Sequence, residues 1–213
     1  MGLQVRAESL QAVYVRVMRW QLKDEAELEL YGGFIPAEQC ADLYAAVHAA
    51  VAWQRRQIRM AGRLIFEPRL TAWIGDAAAV YTYSGRRNAP EPWPRVLSDL
   101  RERVNAATRA ALNSVLCNLY RDGTDSMGLH ADNEPELGDR PVIASLSLGA
   151  TRRFQLRHRS DRTAGLDLDL ESGSLLVMRG AVQHYYRHGI PKQPTISDPR
   201  INLTFRQIRS GAQ

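Results

Sequence analysis

His130 and Asp132, in Gly128-Leu129-His130-Ala131-Asp132, stand two residues apart and so leave an extended chain on the same side. Joined by His184 near the start of a later strand, they make a set of two imidazoles and one carboxylate. Such a set on one face of a metal suits iron(II) and leaves three coordination positions open. Zinc can use the same ligands with water in the fourth position, so the three residues alone do not choose the metal. His188 follows His184 at the spacing of a helical zinc motif, but that motif needs Glu directly after the first His, and Tyr185 stands there. Gly189 and Pro191 also argue against a helix, and His188 is read as a residue behind the site or on the surface. His48, in a helix, and His158, in a basic strand, have no partner in the pattern.

A second chemistry-bearing stretch lies near the end, in Arg200-Ile201-Asn202-Leu203-Thr204-Phe205-Arg206. Side chains alternate across a strand, so Arg200, Asn202, Thr204 and Arg206 share one face while Ile201, Leu203 and Phe205 share the other. The apolar face belongs against a core. The polar face, with an arginine at each end, is suited to hold a small carboxylate. Alternation by itself is equally the mark of a half-solvated strand.

The elements that must position these residues are strands. From Ser114 onward the pattern predicts strands at Val115–Tyr120, Val142–Leu148, Arg153–His158, Leu166–Leu170, Ser174–Met178, His184–Arg187 and Ile201–Ile208, punctuated by turns such as Arg121-Asp122-Gly123. Upstream, Pro36 opens a helix with Leu43, Tyr44, Val47 and Val51 at helical spacing, and a second helix follows Pro94 with Leu97, Leu100, Val104 and Ala111 on its buried stripe. Between them Ile58–Phe66 reads as a hairpin turning near Ala61-Gly62. Many short strands after two helices predict a mostly β protein with flanking helices, a jelly roll with the helices packed on one sheet.

A chain of 213 residues accommodates one domain with an N-terminal extension. The expected division is residues 1–35 as an extension packing on the domain and 36–213 as a single jelly-roll domain, with recognition hairpins at about 55–90. The net charge of +5 and pI near 9.5 favour an acidic partner, nucleic acid first. Lysine occurs only at Lys23 and Lys192, so arginine carries nearly all the positive charge; arginine suits phosphate and carboxylate recognition. Cys40 and Cys117 show no metal-like spacing and are expected as reduced, buried thiols. No apolar run approaches the roughly 18 to 20 residues that span a membrane. The first residues lack a signal-peptide core. Cytoplasm is the expected compartment, nucleoid-associated if the source is bacterial, and a monomer the expected state.

Taken in order, Asn118-Leu119-Tyr120, His130-x-Asp132, His184 and Arg200-x-Asn202-x-Thr204-x-Arg206 closely resemble the AlkB family of iron(II)- and 2-oxoglutarate-dependent dioxygenases. The likeness covers roughly residues 60 to 208. Pro68-Arg69, Gly75-Asp76, Tyr81-Thr82-Tyr83-Ser84-Gly85 and Ala144-Ser145-Leu146-Ser147-Leu148-Gly149-Ala150 resemble the branch of repair demethylases acting on duplex DNA. The resemblance implies a double-stranded β-helix with His130, Asp132 and His184 as iron ligands. It implies that Arg200 pairs with the distal carboxylate of 2-oxoglutarate, which a planar guanidinium grips with two hydrogen bonds. Asn118, Tyr120, Asn202, Thr204 and Arg206 would complete that pocket. The implied reaction demethylates N-alkylated bases such as 1-methyladenine and 3-methylcytosine, releasing formaldehyde, succinate and carbon dioxide.

An alkylated base inside a duplex must be flipped to reach the metal. By the resemblance, Tyr81 and Tyr83 stack on or hydrogen-bond the lesion, and Glu134 reads an exocyclic amine. Asn133 stands where an acid is common in the family. The duplex-specific relatives carry an aromatic wedge at the hairpin tip; here the tip reads Met60-Ala61-Gly62, and Met60 is the candidate wedge. Duplex repair with tolerance for single strands is therefore expected. Arg55, Arg56, Arg59, Arg63, Arg86, Arg87, Arg152 and Arg157 are candidates for phosphate contacts. Two other readings stay open: the same chemistry on RNA or a protein side chain, and a non-catalytic nucleic-acid-binding jelly roll.

Overall fold

Period-two alternation in the second half of the chain builds two antiparallel sheets, and the two proline-led amphipathic stretches build the helices that cover one of them. The computed structural model describes residues 6–10, 15–60, 63–79, 81–83 and 86–209. The chain runs β1 (Arg6–Leu10), β2 (Val15–Gln21), β3 (Ala26–Gly32), α1 (Ala37–Ala50), β4 (Gln57–Met60), β5 (Arg63–Phe66), β6 (Leu70–Gly75), β7 (Tyr81–Tyr83) and β8 (Arg86–Asn88). It continues through α2 (Arg95–Thr108), β9 (Ser114–Tyr120), β10 (Met127–His130), β11 (Ile143–Gly149), β12 (Arg152–His158) and β13 (Gly165–Leu170). β14 (Leu175–Gly180), the one-turn α3 (Val182–Tyr185), β15 (Tyr186–Ile190) and β16 (Arg200–Arg206) complete it.

The large sheet has eight strands in the order β1-β2-β3-β14-β11-β16-β9-β6, and the small sheet four, β10-β15-β12-β13. The stretch before residue 36 thus supplies strands to the large sheet, with β3 pairing directly along β14 from Leu175↔Tyr31 to Gly180↔Ala26. β4–β5 and β7–β8 form separate two-stranded hairpins. The tip residues Ala61 and Gly62, and Ser84 and Gly85, lie outside the described residues.

Two apolar layers hold this together. Val47 of α1 and Leu97, Leu100 and Val104 of α2 pack with Val115, Cys117, Leu146, Ile201, Leu203 and Phe205 on the outer face of the large sheet. Tyr120, Ile143, Phe154, Leu156, Met178, Tyr186 and Ile190 form the second layer, between the sheets. The apolar side of β16 therefore meets the helices and its polar side meets the second sheet, leaving all seven residues of the strand buried. This is a jelly roll with helices on one sheet, as the alternation predicts. Both cysteines are free and buried. Among the described residues no helix is long and apolar enough to cross a membrane.

Two element boundaries differ from the sequence expectation, each for a local reason. Helix α2 stops at Thr108 because Arg109 takes a left-handed conformation with φ 52°, so Ala111 lies beyond the helix and is exposed instead of joining its stripe. The strand expected over His184–Arg187 begins only at Tyr186. Before it, the N–H groups of His184 and Tyr185 both donate to Ala181 O, at 3.1 Å, and close a helical turn.

Candidate active site

The inner faces of β9, β10, β11, β15 and β16 converge on one cleft lined by Asn118, Tyr120, Met127, His130, Asp132, Ser145, His188, Arg200, Asn202, Thr204 and Arg206, among others. His130 ends β10 and Asp132 follows it, while His188 lies on the adjoining strand β15, paired opposite His130 in register. One ligand atom from each of His130, Asp132 and His188 lies within 4.8 Å of the other two. The two imidazole centroids are 4.4 Å apart, and His130 Nε2 is 3.5 Å from Asp132 Oδ1.

The third member of the cluster is thus His188, and the assignment of His184 is corrected. The α3 turn exposes the His184 side chain, whose Nε2 contacts the carbonyl of Asp139 away from the cluster. The next residue but three, on the first regular strand after that turn, faces inward instead. The same turn directs its neighbour Gln183 inward, where Gln183 Oε1 accepts the Asp132 N–H at 2.9 Å. α3 holds the carboxylate's backbone rather than supplying a ligand.

Electrostatics prepare the cluster for a cation. Gly128 O lies 2.9 Å from His130 Nδ1, which fixes the proton there and leaves Nε2 free as a donor atom toward the centre. Burial pushes His188 down to about 3, helped by the neighbouring His130, so the ring is neutral at pH 7. Burial would raise the carboxyl of Asp132. The charge of Arg206, with the nearby His130 imidazole, outweighs it and holds Asp132 well below the usual carboxylate range. Arg206 Nη2 and Nε both donate to Asp132 Oδ2, at 2.8 and 3.2 Å. Two imidazoles, of which the buried His188 is neutral, and one ionised carboxylate, with His188 Nδ1 buried and lacking a hydrogen-bond partner among the described residues, fit a divalent ion.

The carboxylate pocket follows from β16. Arg200 is 1% exposed, and its Cζ lies 5.2 Å from the centroid of the Tyr120 ring. Nη2 donates to Ser147 Oγ at 2.9 Å. Nε and Nη1 are buried with no hydrogen-bond partner among the described residues. Burial pushes the guanidinium down to about 10, so it stays charged at pH 7. A buried cation with two vacant donors is costly alone and well matched to a carboxylate. These residues therefore fit 2-oxoglutarate: Arg200 would hold its distal carboxylate in the cleft that also holds the metal cluster.

The remaining polar residues form a directional chain. Arginine can only donate, so Arg69 Nε, 2.7 Å from Asn118 Oδ1, fixes the orientation of that amide. Asn118 Nδ2 then donates to Asn202 Oδ1 at 3.5 Å. Asn202 Nδ2 donates to Ser145 Oγ at 2.6 Å, and Thr204 Oγ1 donates to Asn202 Oδ1 at 2.9 Å. Behind Arg69 stands the buried Glu67, 3.3 Å from its Nη2. Arg200, Asn202, Thr204 and Arg206, which the alternation of β16 puts on one face, thus line one cleft with Asn118 and Tyr120, the residues added by the family resemblance. Ser145, Ser147, Gln183 and Glu67 are additions. Ser145 and Ser147 carried a usable signal, since they alternate with apolar residues on β11 just as the polar residues do on β16.

The substrate-side residues are more dispersed. Glu134, half-buried, precedes the short 3-10 turn Pro135–Leu137 beyond the metal cluster. Met60 pairs with Arg63 across the first hairpin, and Tyr81 with Asn88 and Tyr83 with Arg86 across the second. The side chains of Arg59, Met60, Arg63, Tyr81, Tyr83, Arg86 and Arg87 lie outside the described residues. Arg55 is exposed, with its Cζ 4.3 Å from the Phe66 ring centroid, and Arg56 is half-buried beside it. One of the proposed phosphate contacts is corrected. Arg152 is 0% exposed and its guanidinium is spent on internal acceptors. Arg157 Nη1 is engaged by Asp167 across the β12–β13 pair, together with the carbonyls of Leu156 and Leu166.

The model of the 2OG-Fe(II) oxygenase superfamily matches residues 27–206. The Homo sapiens alpha-ketoglutarate-dependent dioxygenase alkB homolog 3 is 39% identical over 188 residues, covering 84% of this chain and 65% of that protein. The Homo sapiens DNA oxidative demethylase ALKBH2 is 40% identical over 159 residues, covering 71% of this chain and 61% of that protein. This chain therefore spans less than two thirds of the length of these curated relatives. The solved structure of OsALKBH1 superposes with a TM-score of 0.57 at 18% identity, over 84% of this chain and 96% of that one, a likeness of fold. The family match runs through every strand that bears a cluster or pocket residue, and the chain belongs to the 2OG-Fe(II) oxygenase superfamily, with AlkB-family enzymes among its relatives.

Proposed function

We propose that this protein is an oxidative demethylase of N-alkylated bases in DNA, such as 1-methyladenine and 3-methylcytosine, using iron(II), oxygen and 2-oxoglutarate. The reading rests on one juxtaposition: the unpaired donors of Arg200 share a cleft with the cluster of His130, Asp132 and His188. A binding module needs neither a buried, carboxylate-seeking cation nor a metal cluster beside it. The names of the relatives, a dioxygenase and a DNA oxidative demethylase, support the substrate class.

Bound iron(II) and 2-oxoglutarate supply the oxidation of an N-methyl group to an N-hydroxymethyl group, which is lost as formaldehyde. The chain's own residues set the stage for it. His130, Asp132 and His188 hold the metal, and Arg206 keeps Asp132 ionised and oriented. Arg200, with Tyr120 and Ser147 around it, holds the distal carboxylate. Asn118, Asn202 and Thr204 fix the polar wall between the two sites, and Met127, Phe154 and Ile190 exclude water. Tyr81, Tyr83 and Glu134 receive the flipped base, and the arginines of the two hairpins hold the backbone.

The test is the yield of succinate and formaldehyde on oligonucleotides carrying defined lesions, in single-stranded DNA, duplex DNA and RNA. One formaldehyde per succinate on 1-methyladenine DNA, with duplex turned over at least as fast as single strand, is the expected result. Succinate formed without formaldehyde on every nucleic acid would reject the demethylase reading.

A further inference from the structure

The most deeply buried cation of the cleft's surroundings is Arg152, with 0% exposure and no carboxylate partner in its hydrogen bonds. Its Nη1 donates to Asp122 O at 3.0 Å, and its Nη2 to Asp125 O at 2.8 Å and Pro191 O at 2.9 Å. Nε donates to Gln193 Oε1 at 3.3 Å. These acceptors belong to two connectors. One leads from Tyr120 on β9 to His130 on β10, and the other from His188 on β15 to Arg200 on β16. The connectors also bond each other, Gly123 N to Ile196 O at 2.7 Å and Gln193 N to Gly123 O at 2.8 Å. The Arg152 Cζ lies 5.5 Å from the Tyr120 ring centroid, the same ring that Arg200 approaches.

Burying a guanidinium against neutral carbonyls is expensive, and an apolar side chain would fill the space at lower cost if packing were its only role. Its position gives a reason to keep it. Tying both connectors to β12 sets the separation between the strands that hold the carboxylate and those that hold the metal. Its charge adds to that of Arg200 beside Tyr120, and a pair of cations in a buried pocket favours a dianion over a monoanion.

We infer that Arg152 is a positioning residue for 2-oxoglutarate: it clamps the two connectors, seats Tyr120 against Arg200 and strengthens the positive field at the distal carboxylate. This rests on the reading of the cleft as a 2-oxoglutarate pocket. The test is calorimetric binding of 2-oxoglutarate to the manganese(II)-loaded protein, where no turnover occurs. Arg152→Gln is expected to weaken 2-oxoglutarate roughly tenfold, a loss of preorganisation, with manganese affinity unchanged and Arg152→Lys recovering part of the loss. In turnover the KM for 2-oxoglutarate should rise while that for the oligonucleotide stays put. Wild-type 2-oxoglutarate affinity in Arg152→Gln, or an equal loss of manganese affinity, overturns the inference. Arg200→Gln separates the two readings: if it too binds normally, the pocket assignment itself fails. Should Arg152→Gln not fold, Gln193→Ala removes one acceptor of the clamp. A severalfold weakening supports the inference, and unchanged binding overturns it.

Discussion

Arg206 donates twice to a single oxygen of Asp132, Oδ2, which leaves Oδ1 turned toward His130 Nε2. On the proposed function, one arginine of β16 would serve the metal through Asp132 and the other, Arg200, the keto acid. The strand is a bracket between the two sites. Partners that orient a ligating carboxylate matter for metal affinity, typically 10- to 100-fold. Arg206→Gln should weaken manganese(II) binding by about that factor, read by titration of the metal-free protein. An unchanged affinity would show that Asp132 needs no orientation.

His188 and His184 make opposite predictions. His188→Ala removes a member of the cluster and should lose metal by more than the roughly 100-fold upper figure for an outer partner, along with all succinate formation. His184 is exposed, so His184→Ala should bind metal like the parent and stay within about 0.5 kcal/mol in stability. Metal content after dialysis, measured on both variants, decides the assignment.

These two histidines also mark the limit of what the chain discloses before folding. The polar face of β16 was legible because strands alternate strictly and seven consecutive residues obey the pattern. His130 and Asp132 were legible for the same reason. The choice between His184 and His188 hinges on one turn at Ala181–Tyr185 whose closure depends on burial of Val182 and Gln183, a tertiary matter. Arg152 was not legible as an internal residue because charge alone does not say which way a strand residue points; on β12 the even-numbered side faces in, with Arg152, Phe154, Leu156 and His158 all buried, while Arg157 lies on the other side. That alternation marks Arg152 as inward-facing, whatever its charge.

Arg200 leads to a prediction about stability without turnover. Its Nε and Nη1 lack hydrogen-bond partners among the described residues, and a bound carboxylate would supply them. At a free 2-oxoglutarate concentration 100 times its Kd, the metal-loaded protein should gain about 2.7 kcal/mol. That corresponds to a rise in Tm of about 5–10 °C for a chain of this size. Arg200→Met replaces an uncompensated buried cation with an apolar chain, so its ligand-free form should be as stable as the parent or more so. Its Tm should not respond to 2-oxoglutarate. Thermal unfolding of both proteins, with and without the keto acid, provides the measurement.

The buried pair of Glu67 and Arg69, 6% and 4% exposed, supports the far end of the polar chain. Removing one partner of such a pair strands the other charge, at a cost of about 3–5 kcal/mol. Glu67→Ala should lose stability of that order in urea unfolding, and the freed Arg69 should release Asn118. Arg69→Met with Glu67→Leu removes both charges and should recover much of the stability without restoring Asn118. A double variant with full 2-oxoglutarate affinity would show that Asn118 keeps its orientation without Arg69.

Phosphate binding can be counted through salt. With Arg152 buried and Arg157 paired with Asp167, the candidates that remain are Arg55, Arg56, Arg59, Arg63, Arg86 and Arg87 in and around the two hairpins, with Arg157 a weaker one. If about five meet phosphates, the logarithm of affinity falls against the logarithm of salt with a slope near −4.5 on duplex DNA and near −3.5 on a single strand. Arg157→Gln should flatten the slope less than the loss of a hairpin arginine does, since Asp167 already pairs with its guanidinium. Arg59→Gln should flatten it by about 0.9 on a duplex. Fluorescence anisotropy from 50 to 200 mM salt measures both. A slope reduced by Arg157→Gln but not by Arg59→Gln would move the backbone contact from the hairpin to the β12–β13 sheet edge.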